Sequence, residues 1–174
     1  LKVISIWQPY ATLAAYGFKT HETRSWAAPK SVIGQRIGIA STKVVKPEQR
    51  AAFADPEFQR FYSQTGLPSS FDDLPLGHLL GTAVLESVEP VTDELIEDIS
   101  PEELAYGWHR PGYWVWRLQD HEPLTTPIAI RGAQGIYDWQ GDVTQAFGAN
   151  AQPQISGQNH QERPADIRRH LRVI

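Results

Sequence analysis

Lys19, Glu22, Arg24 and Trp26 crowd into the run Lys19-Thr20-His21-Glu22-Thr23-Arg24-Ser25-Trp26, which begins nine residues after the run Ser5-Ile6-Trp7-Gln8-Pro9-Tyr10 ends. A lysine beside a carboxylate can be held charged as an anion clamp. It can also be desolvated to act as a base or nucleophile. Arg24 can pair with Glu22 or grip a phosphate with its fork of donors. Gln8 lies at a helix start, where free backbone N–H groups also favour anions. Trp7, Trp26, Trp114 and Trp116 offer faces on which a base can stack. Positive charge, one carboxylate and aromatic surface in one place make a polar cleft suited to a nucleic-acid strand or a nucleobase.

Short elements must hold these groups together. Val3-Ile4-Ser5-Ile6-Trp7 reads as a strand, and Pro9 suits the first turn of a short apolar helix over residues 10–16. Gly17 is a natural residue for a left-handed helix exit. Residues 21–26 alternate as a strand, so Glu22, Arg24 and Trp26 share one face. Further strands are expected over residues 36–42, 80–88, 112–119, 128–130 and 135–139. One amphipathic helix is expected over residues 47–62, with Phe53, Phe58, Phe61 and Tyr62 as core anchors. Ser100-Pro101-Glu102-Glu103 resembles a helix N-cap inside an acidic, partly helical stretch over 93–106. Trp114 and Trp116 fall on one face of their strand. Many short strands with few helices predict an α+β fold, a small curved sheet or barrel with helices on its rim.

The chain has 174 residues, enough for one domain with a real core, and a net charge of −4 that argues against a generic nucleic-acid coat protein. The charge is polarised: +5 over residues 1–60, −10 over 61–109 and +1 over 110–174. One basic face can therefore coexist with an acidic total. With no cysteine there is no disulfide framework and no thiolate site, which favours a cytoplasmic protein. No apolar run approaches the roughly 18 residues of a membrane span. The six histidines show no paired ligand spacing, and no phosphate-loop or Gly-x-Ser-x-Gly signature occurs, so neither metal nor cofactor is expected. His109 belongs to a loop suited to a cleft mouth. From Gly141 the composition turns to Gln, Asn, Ala and Gly. Residues 1–141 are therefore expected to form the domain, and 142–174 a polar linker and basic tail.

The pattern Gly17-x-Lys19-x-x-Glu22-x-Arg24, preceded by Ile6-x-Gln8-Pro9-Tyr10, resembles the ASCH (activating signal cointegrator homology) domain family. The strand Tyr113-Trp114-Val115-Trp116 and the closing segment Gly132-Ala133-Gln134-Gly135-Ile136-Tyr137-Asp138-Trp139 are also similar to it, so the resemblance covers residues 2–139. It implies a PUA-like β-barrel whose cleft is formed partly by the first helix and the Gly-x-Lys segment, and binding of RNA or other nucleic acid. Some bacterial relatives are hydrolases, of N4-acylated cytidine or of RNA. In the amidohydrolase branch the active residues are a lysine, a threonine three positions later and a distal glutamate. Lys19 matches the lysine. Glu22 stands where the threonine would be, and Glu94, Glu97, Glu102 and Glu103 compete for the distal position. The Lys-x-x-Glu-x-Arg form matches the branch that contains the cointegrator domain.

The reading these residues support is a module that binds RNA, single-stranded DNA or a modified nucleobase. Lys19 and Arg24 supply charge and Glu22 orients them or accepts from a base edge. Gln8 hydrogen-bonds from the helix start, and Trp26, Tyr113 and Trp116 offer stacking surface. The alternative is a hydrolase in the same cleft, with Lys19 and Glu22 as its catalytic pair. A protein-interaction adaptor using the acidic block is the third reading.

Overall fold

The computed structural model describes residues 1–144, so the expected tail lies almost wholly outside the described residues. Among the described residues six strands form one mixed sheet in the order β2-β5-β4-β3-β1-β6, curled into a half-barrel. They are β1 (Lys2–Ile6), β2 (His21–Arg24), β3 (Arg36–Ser41), β4 (His78–Pro90), β5 (Trp114–Ala129) and β6 (Ile136–Asp138). β1 runs parallel to β3, and every other pair is antiparallel. The α+β class and the barrel-like sheet predicted from the sequence are what the chain adopts.

Helix α1 (Tyr10–Ala15) crosses the sheet against β3, β4 and β5. It is apolar nearly all round, and Ala11 through Ala15 are all buried, as such a helix requires. Gly17 ends it at φ +78°, and the amides of both Phe18 and Lys19 reach back to the Leu13 carbonyl. This exit delivers Lys19 directly to the start of β2.

The helix expected over 47–62 is two helices, α2 (Pro47–Ala54) and α3 (Pro56–Tyr62). Pro56 excludes its predecessor from helical geometry, so Asp55 is extended at φ −63°, ψ 130°. The Asp55 carboxylate then accepts from the amides of Glu57 and Phe58, restarting the chain as a capped helix. The acidic stretch folds as α4 (Asp93–Asp98) and α5 (Pro101–Ala105), and Ser100 caps α5 through the Glu103 amide.

The two strands expected over 112–119 and 128–130 are parts of one strand, β5, paired along β4 through several register shifts. Asp120, at φ 49°, and two prolines interrupt its alternation, which hides the continuity in the sequence. Gly81 permits the pairing there, since a Cβ would stand 2.8 Å from the Glu122 carbonyl oxygen.

The main core lies between α1 and the sheet, around Ile4, Ile37, Ile39, Leu85 and Trp116. A second, aromatic core joins Leu13 of α1 to Phe53, Phe58, Tyr62 and Phe71, and to Tyr106 just after α5. That second core fixes the segment after α5 over the start of β2.

Candidate functional site

A cleft of about 270 Å³ opens where β1, the start of α1, β2 and the segment after α5 meet. Its floor carries Lys19, Glu22 and Arg24. Its walls carry Trp7, Trp26, Trp108 and Tyr113. Among the described residues β2 is an edge strand paired only with β5, and its pleat places Glu22 and Arg24 on a common face. One Glu22 oxygen lies 2.9 Å from Arg24 Nε and the other 3.8 Å from Lys19 Nζ. The carboxylate thus sits between the two cations. Arg24 is tied down further by donating from Nη2 to the Ser5 carbonyl of β1 at 2.8 Å. Lys19 is only 2% exposed and donates to the His21 carbonyl. The Glu22 charge reaches Tyr10 across the cleft, where it adds to burial in raising the phenol pKa.

The aromatic walls are braced from behind. Trp26 meets Trp116 edge-on at 4.8 Å between ring centroids, and its carbonyl accepts from the Trp116 indole at 3.2 Å. Trp7 touches Trp108 edge-on at 6.4 Å, and Lys46 lies over the Trp7 ring at 5.2 Å. Arg110 covers the Tyr113 ring at 4.4 Å. Trp108 is 58% exposed, unusual for an indole.

Lys19, Glu22, Arg24, Trp26 and Tyr113 therefore come together as the sequence suggested. Two predicted binding residues do not. Gln8 is fully buried with its side chain engaged inside the fold: its oxygen accepts from the Thr12 amide and hydroxyl, and its nitrogen donates to the Pro75 carbonyl. It caps α1 rather than facing the cleft. Trp116 is also fully buried, pairing across the ladder from Glu22, and supports Trp26 from the core side. Trp26 itself lies two residues past the end of β2 and reaches the cleft from the following bend. The sequence reading missed Trp108, whose only signal is its place beside Gly107 and His109.

It also missed a second cluster directly behind Lys19. Of the four glutamates considered, Glu103 is the one that reaches the lysine segment. Its carboxylate accepts from the Thr20 amide, the Thr20 hydroxyl and the His21 amide, each at 3.0 Å. Burial opposes the Glu103 charge, but the Lys19 ammonium and these donors outweigh it and hold the pKa below the usual carboxylate value. Burial lowers the pKa of His21 and of His109, and His109 is pushed down to about 4 with Lys19 adding to the effect. Gly107 closes the loop over this cluster: a Cβ there would lie 2.9 Å from His109 Cε1 and 3.3 Å from Lys19 Nζ.

His21, Glu103 and His109 offer three metal-ligand atoms within 4.8 Å of one another. Their surroundings make this a poor seat for a divalent ion. Lys19 repels positive charge there, and Arg117 donates to His21 Nε2 at 2.9 Å, engaging that nitrogen's lone pair.

Comparison with known proteins places this architecture. Comparison with curated proteins gave no match. A crystal structure of the ASCH protein from Zymomonas mobilis superposes with a TM-score of 0.50 at 19% identity, covering 83% of this chain and 91% of that one. A single-residue variant of the same protein gives a TM-score of 0.50 at 21% identity over the same shares. At such identities the likeness speaks to the fold alone. The sequence model of the ASCH domain matches residues 4–154, most of the chain, and the chain belongs to the ASCH domain family.

Proposed function

We propose that this protein is a binding module for single-stranded nucleic acid, RNA above all, which seats one base in the cleft. The observation that carries this reading is the floor: a buried lysine, a carboxylate and an arginine side by side beneath four aromatic side chains. Aromatic faces take a base by stacking, worth about 1–3 kcal/mol per base. Buried polar groups on the floor reward a partner that hydrogen-bonds and penalise one that does not. Lys46, over the Trp7 ring at the cleft wall, gives a contact for a flanking phosphate. At about 270 Å³ the space lies just below the range of drug-sized ligand sites, which suits a base or nucleoside.

The test is a salt titration of binding to a short single-stranded RNA. Each phosphate neutralised contributes about 0.7 to the slope of log affinity against log salt. Affinity should fall with salt, and Arg24→Ala should weaken it. Binding indifferent to both would remove this reading.

The near-complete burial of Lys19 beside Glu22 favours one second reading, an amide hydrolase acting on an acylated base. Lys19 would then act as base or electrostatic catalyst and Glu22 as its proton partner. Incubation with N4-acetylcytidine, scored for release of cytidine, decides it. Turnover no greater than that of Lys19→Ala eliminates the enzyme.

A further inference from the structure

The order of groups on the cleft floor is itself a recognition pattern. Glu22 lies between Lys19 and Arg24, with one carboxylate oxygen toward each. Lysine and arginine only donate, and an ionised carboxylate only accepts. The floor therefore presents donor, acceptor, donor. The bonds already made leave capacity in all three groups. The lysine ammonium has three protons, of which one goes to the His21 carbonyl. The guanidinium has five, of which one goes to the Ser5 carbonyl and Nε faces Glu22. The carboxylate has about four acceptor positions, and its oxygen toward Lys19 stands at 3.8 Å, too far for a strong bond.

The complement of donor–acceptor–donor is acceptor–donor–acceptor: an N–H flanked by two carbonyls. Among the bases only the pairing edge of uracil or thymine has it. Cytosine presents an amino donor, a ring-nitrogen acceptor and a carbonyl, which would set its acceptor against a carboxylate. Guanine presents one carbonyl and two donors, leaving one cation without a partner. Adenine lacks the carbonyls. Because Lys19 and Glu22 are almost fully buried, a mismatch cannot be relieved by bulk water.

We propose that the cleft selects an imide edge, that of a uracil or thymine base, with Glu22 accepting the imide N–H and Lys19 and Arg24 donating to the flanking carbonyls. The base plane would be held by Trp26, Trp108 and Tyr113, which line the same cleft. This selectivity rests on the base-binding reading of the cleft.

The experiment is fluorescence-anisotropy titration of the whole chain with four short RNAs: oligo(U), oligo(C), oligo(A), and oligo(U) methylated at N3 of every base. N3-methylation removes the N–H and puts a methyl group against Glu22 without changing phosphate charge. Leaving a buried acceptor unmatched costs enough to weaken binding about tenfold or more. The expected result is that oligo(U) binds at least about tenfold more tightly than the other three. Glu22→Gln adds a second reading, since an amide can also donate. Its preference for oligo(U) over oligo(C) should shrink, with circular dichroism confirming the fold. If oligo(C) or the methylated strand binds as tightly as oligo(U), imide selection is wrong and the base cleft survives. If none of the four binds, the base-binding reading fails and the selectivity fails with it.

Discussion

Glu103 should govern the stability of the site although it does not line the cleft. Its carboxylate satisfies two backbone amides and one hydroxyl at the start of β2, and it stands beside the Lys19 ammonium. Glu103→Ala removes every one of these partners. The His21 amide is buried and is left without an acceptor, while the Thr20 groups are part-buried beside a polar opening and can recruit water. An orphaned buried donor costs about 1–3 kcal/mol, and Lys19 keeps Glu22 as its ion-pair partner, so a total of about 1–3 kcal/mol follows. For a chain of this size that lowers Tm by roughly 2–12 °C. Glu103→Gln keeps one acceptor oxygen but turns its amide N–H₂ toward other donors, so it should recover only part of the loss.

The pH dependence fixes the cause. The folded Glu103 pKa lies below its ordinary 4.5, so its contribution is complete above pH 4.5 and fades as pH falls through the folded value. Urea unfolding of the native protein and Glu103→Ala should therefore show a constant gap near neutrality that narrows in acid. A Tm change under about 2 °C, or a gap that persists unchanged into acid, would refute the reasoning.

Three further outcomes follow from the same geometry. Gly107→Ala should weaken ligand binding several-fold and cost about 1 kcal/mol, because its Cβ would press on His109 and Lys19; equal affinity by titration would show that the loop gives way freely. The His109 pKa is lowered from 6.5 to about 4, so the folded state loses stability as pH falls from about 6.5 towards 4, and His109→Asn should flatten that slope in a denaturation series. Trp26→Ala should cost about 1–3 kcal/mol of nucleic-acid binding with a modest effect on folding. Trp116→Ala should instead destabilise by about 3–5 kcal/mol, which paired binding and melting measurements will separate.

The parts of the fold legible in the sequence were those decided locally. Gly17 marked the exit of α1, Ser100 marked the cap of α5, and alternation along β2 put Glu22 and Arg24 on one face. The break at Asp55 was equally visible, since a proline bars helix at the residue before it, but the surrounding phenylalanine pattern suggested one continuous helix. β5 was hidden for the opposite reason. Its register shifts against β4 are set by a partner strand far away in sequence, and no local period records them.

Gln8 shows where motif reading reaches its physical limit. A glutamine before a proline at a helix start looks equally suited to an incoming anion and to the helix's own orphan amides. Burial decides between them: with the side chain sealed from water, its oxygen must accept from Thr12 and its nitrogen must donate to Pro75. Glu103 is the converse case. It sits in an acidic run that reads as a solvated face, yet packing of the aromatic core turns it inward onto β2. Residue type and spacing thus announce that Lys19, Glu22 and Arg24 belong together. Only the packing around Leu13, Phe58 and Tyr106 determines which glutamate stands behind them and which tryptophan remains free to meet a ligand.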